Sequence, residues 1–346
     1  MQNLIQKSLL YTLLLVFTIS CENEVDVSAD WEEIAVVYGA LNPTDDTNYL
    51  RINRAFLDEN ESALRYIDNP DSLYFESLEV YLDEFRNNSY TKTISASLVN
   101  GEDFGLSKDS GFFYSESNPL YQITDKIQAS TFINDYTYSL TVRNPLTGYT
   151  CSGLTLSNGK PEVTNPVSEN SPRTVFPRAT DDHNIYVSFK EGKHVRAYTI
   201  EMIIRVEEFK TSDPSSSTVI PIKWNMVNGG RTRRLSGFEE AIYLVPSSSF
   251  FATISSALTA DTSLSRRLVD YDINFYGISE DFSTYLSVTS PSIGIIQKKP
   301  EFTNLTNGLG IFTSRHITRF DNQKFDAQTT VEMQLSEFTD YLNFVN

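Results

Sequence analysis

The chain's only imidazoles are His183, His194 and His316, and none lies within a helical turn of another. Zinc sites and zinc hydrolases need His ligands at short spacing, often beside a Glu, and no His-x-x-x-His or Glu-adjacent pattern occurs. His183, in Thr180-Asp181-Asp182-His183 ahead of a strand, reads as an exposed loop residue. Serine is abundant, yet no Gly-x-Ser-x-Gly elbow presents a nucleophile. Cys151 stands in Tyr149-Thr150-Cys151-Ser152-Gly153-Leu154 with no His or acid beside it to lower its pKa, so it reads as a small buried hydrophobe. Carboxylates are numerous enough to supply a glycosidase acid and base many times over, and abundance singles out no pair. The sequence therefore assigns no catalytic residue, no cofactor-binding residue and no metal ligand.

Binding chemistry has more to work with. Thr44-Asp45-Asp46-Thr47 and Asp58-Glu59-Asn60-Glu61 carry hard oxygen ligands of the type Ca²⁺ takes, although neither completes an EF-hand loop and both read by default as solvated loops. Arg231, Arg233 and Arg234, between Gly229-Gly230 and Gly237, form the one dense basic stretch; it could grip a carboxylate or phosphate, or be a solvated hairpin tip. Gly308-Leu309-Gly310 lacks the third glycine of a dinucleotide cradle and reads as a bulged or closely approached strand. Most of the 19 Tyr and 22 Phe must be core, while Tyr49, Tyr74, Phe75, Phe112, Phe113 and Tyr114 fall in or beside loops and are candidates for a contact surface.

The elements that would position these residues are strands. With 346 residues, 40% hydrophobic and 12% aromatic, the chain can build a core of its own, and its length predicts two domains, with one large β domain as the competing count. A formal charge of −17 repels a phosphate backbone and argues against nucleic-acid binding. Leu78, Val80 and Leu82, and Tyr136, Tyr138, Leu140 and Val142, recur at period two, the spacing of a half-buried antiparallel strand. Further strands are predicted at 34–40, 49–56, 92–99 and 149–156, a density close to that of an immunoglobulin-like sandwich. The run Ser157-Asn158-Gly159-Lys160-Pro161 breaks this pattern, so a β-sandwich domain is placed at 31–159 and a second β-rich domain with short helices at 160–346. In the latter, strands are predicted at 184–190, 195–209, 219–224 and 269–275. Pro221 marks a sheet edge. Helices are expected at 247–260, capped by its serines, and at 279–288, and Val331, Met333 and Leu335 alternate ahead of a terminal turn or helix at 336–344.

Residues 1–20 read as a secretory signal: Lys7, an apolar run from Leu9 to Ile19, then Ser20 before Cys21. The run is short of the ~20 residues that span a bilayer. Thr18-Ile19-Ser20-Cys21 resembles a bacterial lipobox, with Thr in place of the usual Leu, which implies diacylglycerol on the Cys21 thiol and an anchored, non-spanning protein. Residues 21–30, opening Cys21-Glu22-Asn23-Glu24-Val25-Asp26, would be an acidic tether resembling a surface-export signal of Bacteroidota lipoproteins. Cys151 would then be the remaining thiol, leaving no internal disulfide.

Val36-Val37-Tyr38-Gly39-Ala40-Leu41-Asn42-Pro43, Arg51-Ile52-Asn53-Arg54-Ala55-Phe56-Leu57, and Lys299-Pro300-Glu301-Phe302-Thr303-Asn304 leading into Gly308-Leu309-Gly310-Ile311-Phe312 together resemble a Bacteroidota outer-membrane lipoprotein family of unknown function. The resemblance implies an outer-membrane address, surface exposure, and a non-enzymatic binding or accessory role beside a TonB-dependent nutrient transporter, with that transporter, a glycan or a peptide as partner. The alternatives are an envelope hydrolase using paired carboxylates and a structural envelope component.

Overall fold

The computed structural model describes residues 33–55, 73–108, 117–167, 177–179, 183–290 and 301–345. The predicted leader 1–20, Cys21 and its tether, the acidic run 58–61, and Phe112, Phe113 and Tyr114 lie outside the described residues. The chain is mainly β, as its period-two patterning predicts. Up to residue 165 it forms β1 (Ile34–Leu41), β2 (Asn48–Ala55), β3 (Glu79–Arg86), β4 (Ser89–Ser95), β5 (Ser97–Asn100), β6 (Pro119–Ile123), β7 (Tyr136–Arg143), β8 (Thr150–Leu156) and β9 (Glu162–Asn165). Beyond it come β10 (Asn184–Lys190), β11 (Ala197–Lys210), β12 (Asp213–Arg231), β13 (Glu240–Pro246), β14 (Leu264–Ile278), β15 (Leu305–Thr306) and β16 (Gly308–Gln323). Among the described residues three α-helices join them: α1 (Ser247–Ala257), α2 (Glu280–Thr289) and α3 (Thr329–Leu335).

These strands assemble into an eight-stranded sheet ordered β12-β11-β14-β16-β1-β2-β6-β5, a five-stranded sheet β15-β8-β7-β3-β4 and a three-stranded sheet β13-β10-β9. Sequence periodicity translates directly into two cores. In the first, Val37, Leu50 and Ile52 of the large sheet face Val80, Leu82, Tyr138 and Leu140 of the five-stranded one, a sheet-on-sheet sandwich. In the second, Tyr198, Ile200, Met202, Ile204 and Val206 of β11 are all fully buried against Trp224, Phe275 and the helical Phe250, Phe251 and Ile254. Each such side chain contributes about 1.5–3 kcal/mol by leaving water.

The large sheet runs across the boundary drawn at residue 160, and so does the first core. β16 pairs in parallel with β1 (Ala35↔Gly308 to Leu41↔Ser314) and, over its second part, antiparallel with β14. Leu305 and Phe312 accordingly belong to the first core, while Phe320 packs on the second. Gly310 permits the parallel pairing: its φ is +97°, and a Cβ there would lie 2.1 Å from the Val37 carbonyl oxygen.

Several local expectations change. The strand predicted at 92–99 breaks at Ala96, and its parts β4 and β5 join different sheets. β12 extends through Gly229-Gly230 to Arg231, where a loop was expected, and Gly229 (φ +65°) takes up the bulge. Pro221 does lie on an edge strand, since β12 ends the sheet order. The terminal helix falls earlier than 336–344: it is α3, over Val331, Met333 and Leu335, of which only Met333 is buried, and a 3-10 turn at Asp340–Leu342 follows. At α1 the cap position is Pro246 without a side-chain bond. Ser247 Oγ instead lies 2.7 Å from His183 Nδ1.

Candidate functional site

Among the described residues the most exposed large apolar side chains, Phe132 (82%) and Ile133 (78%), sit side by side in the loop between β6 and β7. Local hydrogen bonds put them there. Thr131 N donates to Asn134 O (2.7 Å) and Asn134 N to Thr131 Oγ1 (3.0 Å), closing a turn whose tip is the Phe-Ile pair. Asn87, in the left-handed region (φ 51°) of the β3–β4 turn, pins the loop from outside: its N–H donates to Asp135 O, its Oδ1 accepts from Asp135 N, and its Nδ2 donates to Ile133 O.

Across a cleft of about 470 Å³ stands a second wall, built by residues 191–195 and 232–239. It carries two non-glycine residues at positive φ, His194 (62°) and Phe238 (64°). Such conformations need a surrounding structure that over-determines them. His194 N donates to Leu235 O (2.8 Å) and Phe238 N to Glu191 O (2.7 Å), while Gly192 N donates to Tyr198 Oη (2.7 Å). The Phe238 ring meets Phe132 edge to face, with centroids 5.6 Å apart, and Ser130, Ile133, Lys160, Glu162 and Lys193 are among the other lining residues.

One carboxylate ties the walls together. Asp135 accepts from Lys193 Nζ at 2.8 Å and lies 2.6 Å from His194 Nε2, with Ser130 Oγ donating at 3.2 Å. Partial burial alone would raise its pKa, but the Lys193 and His194 hydrogen bonds outweigh that and hold it below the ordinary 3.8. Behind the second wall Glu191 is buried, its Oε2 has no partner, and desolvation raises its pKa despite the Arg233 N–H on Oε1 (3.4 Å). Nearby His316 is driven down to about 4 by burial and then by the Lys160 charge, so it is neutral at pH 7. The cleft thus offers two aromatic rings, the aliphatic Ile133 and Val163, and charges of both signs from Lys160, Lys193 and Glu162: a place to bind an apolar body carrying polar groups.

The residues singled out from sequence are dispersed. Tyr49 is half-buried, tilted on Phe104 (6.3 Å) and accepting from Gln122 Nε2 (3.2 Å). Tyr74 and Phe75 are half-buried, Phe75 against the first core. Arg231 is exposed at the end of β12, and Arg233 and Arg234 are exposed in the loop that continues to Phe238, Arg234 facing Glu239 at 3.6 Å. The arginine stretch therefore shares a loop with the site, whereas Phe132, Ile133 and Phe238 were not foreseen. Their signal was present as an apolar pair between turn-formers in Ser130-Thr131-Phe132-Ile133-Asn134-Asp135.

Other candidates resolve into structure. Lys126 Nζ is held by Thr44 O (3.4 Å), Asp45 O (3.2 Å) and Asp46 Oδ1 (3.1 Å), so an ammonium already fills the oxygen cluster. Among the described residues no group of three or more His, Cys, Asp and Glu is placed to hold a metal. A cavity of about 830 Å³ is lined by His183, Arg178 and Phe338, but the Ser247 hydroxyl paired with His183 belongs to a residue 1% exposed and offers no surface to a substrate. Among the described residues no helix is long and apolar enough to cross a membrane. A comparison with protein-family models returns no match, and neither does one with curated proteins.

Proposed function

We propose that the chain is an outer-membrane lipoprotein, anchored by acylated Cys21, that binds a ligand or a TonB-dependent transporter without turning it over, through the cleft between Phe132-Ile133 and Phe238. The lipobox-like Cys21 supplies the anchor: each buried CH₂ contributes ~0.8 kcal/mol, and more than one acyl chain makes attachment stable. The family resemblance supports the same address. The observation that carries the binding role is the Phe132-Ile133 pair, 82% and 78% exposed yet fixed by Asn87 and Asp135. Exposing such surface on a held loop has a physical rationale when a partner covers it.

Two measurements test the reading. Mass spectrometry of the native protein should find diacylglycerol on Cys21. Co-purification from detergent-solubilised outer membrane should bring down a β-barrel transporter, and glycan and peptide binding should be assayed in parallel. Phe132→Ser combined with Ile133→Ser should abolish whichever interaction is found. An unmodified Cys21 thiol removes the anchor, and an interaction indifferent to the double substitution removes the cleft.

A further inference from the structure

An asparagine followed by glycine can be attacked by its own backbone, because no Cβ on the second residue shields the amide nitrogen or keeps it from turning toward the side chain. The chain holds four such pairs: Asn100-Gly101, Asn158-Gly159, Asn228-Gly229 and Asn307-Gly308. Three are held by their surroundings. Asn100 Oδ1 accepts from Asn118 N (2.9 Å), and Gly101 N donates to Asn118 O (2.7 Å). Asn158 is fully buried; its amide reaches Gly277 O in one orientation and His194 O with Ser279 N in the other, and Gly159 N donates to Lys193 O (2.7 Å). Asn307 Nδ2 donates to Thr150 O (2.8 Å), Tyr149 Oη donates to Asn307 O, and Gly308 is packed against Cys151.

Asn228-Gly229 is the exception. Both residues are exposed, and among the described residues the Asn228 side chain has no hydrogen-bond partner. Register pairs Val227 with Ile200 and Gly230 with Tyr198, so Asn228 and Gly229 stand in a bulge of the edge strand β12 without opposite residues of their own. Gly229 lies at φ +65°, and a Cβ built there would meet nothing within 4 Å. The backbone has slack to bend there, and a ring has room to form.

We infer that Asn228 is a site of spontaneous deamidation. Gly229 N loses its proton to hydroxide and bonds to Asn228 Cγ; the Cγ–Nδ2 bond breaks, ammonia leaves, and a succinimide ring closes. Water then opens one of the two ring carbonyls, giving Asp or its β-linked isomer, with no oxidant or reductant involved. Either product adds a negative charge to the strand that carries Arg231 into the arginine loop.

The test follows the full-length protein in warm, mildly alkaline buffer, native and in guanidinium chloride, by peptide mapping with mass spectrometry. In native protein Asn228 should convert about tenfold or more faster than Asn100, Asn158 and Asn307, each of which must first give up hydrogen bonds. Unfolding should draw the four rates together. Native isoelectric focusing should show an acidic band that grows with time and is absent from Asn228→Gln, whose longer side chain cyclises far more slowly. An unconverted Asn228, a held site converting as fast in native protein, a rate gap that survives unfolding, or an acidic band undiminished in Asn228→Gln would overturn the assignment.

Discussion

Asp135→Ala removes the carboxylate that bridges the two walls of the cleft. The loss comprises the 2.8 Å bond from Lys193, the 2.6 Å contact with His194 and the 3.2 Å bond from Ser130. An exposed ion pair contributes ~0.2–1 kcal/mol, whereas a hydrogen bond to a charged group contributes ~1.5–3. Here the side chains of Lys193 and His194 are 19% and 15% exposed and that of Asp135 is 33% exposed, so the pair lies between these limits. With solvent screening from Asp135's open side, the expected loss is about 2–3 kcal/mol. For a chain of this size each kcal/mol lowers Tm by roughly 2 °C, so Asp135→Ala should melt about 4–6 °C below the wild type at pH 7. The pH dependence has a fixed sign. Asp135's folded-state pKa lies below 3.8, so its stabilisation is complete above that value and is lost as pH falls through the folded-state pKa. Wild-type and variant melting curves should converge at the acid end. A difference under ~1 °C at neutral pH, or one that widens on acidification, would refute this account of the clamp.

Three further outcomes follow from buried groups. Arg266 is fully buried, bonding Glu208 (2.7 and 2.9 Å), Leu342 O (2.9 Å) and Thr259 O (2.8 Å); Arg266→Leu strands these acceptors and should lower the urea-derived stability by about 3–5 kcal/mol, with a loss under ~1 kcal/mol contradicting the reading. Burial pushes the Cys151 thiol up to about 11 despite the Tyr149 hydrogen bond, so peptide mapping after iodoacetamide treatment at pH 8 should find Cys151 unlabelled in native protein and labelled in urea. Gly159→Ala should destabilise by ~2 kcal/mol or more and alter the fluorescence or NMR signals of residues lining the cleft, because the new Cβ would lie 2.6 Å from both Ser130 O and Lys193 N; a neutral effect on urea stability would count against that crowding.

What was legible in the sequence is what depends on one strand at a time. The column from Tyr198 to Val206 alternates with Thr199, Glu201, Ile203 and Arg205, three of them polar, and the structure buries it whole. β13 escaped because both its faces are apolar: Ala241 and Val245 point into the core while Ile242 (58% exposed) and Leu244 (57%) point out, which erases the period-two signal. β6, Pro-Leu-Tyr-Gln-Ile, buries adjacent Leu120 and Tyr121 and shows no alternation either. The parallel pairing of β1 with β16 joins residues some 270 positions apart, and no local pattern encodes it. The cleft has the same character, since its walls come from residues near 87, 130, 160, 193 and 238, each unremarkable among its own neighbours.

The segment 157–161, where the strand pattern breaks, shows what composition leaves out. Gly, Asn and Pro report that the backbone turns, and a turn reads as a linker when its surroundings are unseen. Here Ser157, Asn158 and Gly159 are buried. Ser157 Oγ donates to Gln128 O (2.6 Å), Asn158 N to Ser314 Oγ (2.9 Å) and Gly159 N to Lys193 O (2.7 Å), so the crossing is bonded to the first wall's loop, to β16 and to the second wall. Gly159 is small because both walls close on it. Since β16 also belongs to both cores, hinge motion at this crossing would have to break sheet pairing as well as these bonds. The relative position of Phe132 and Phe238 is therefore fixed before any ligand arrives, and binding there should proceed with little backbone rearrangement.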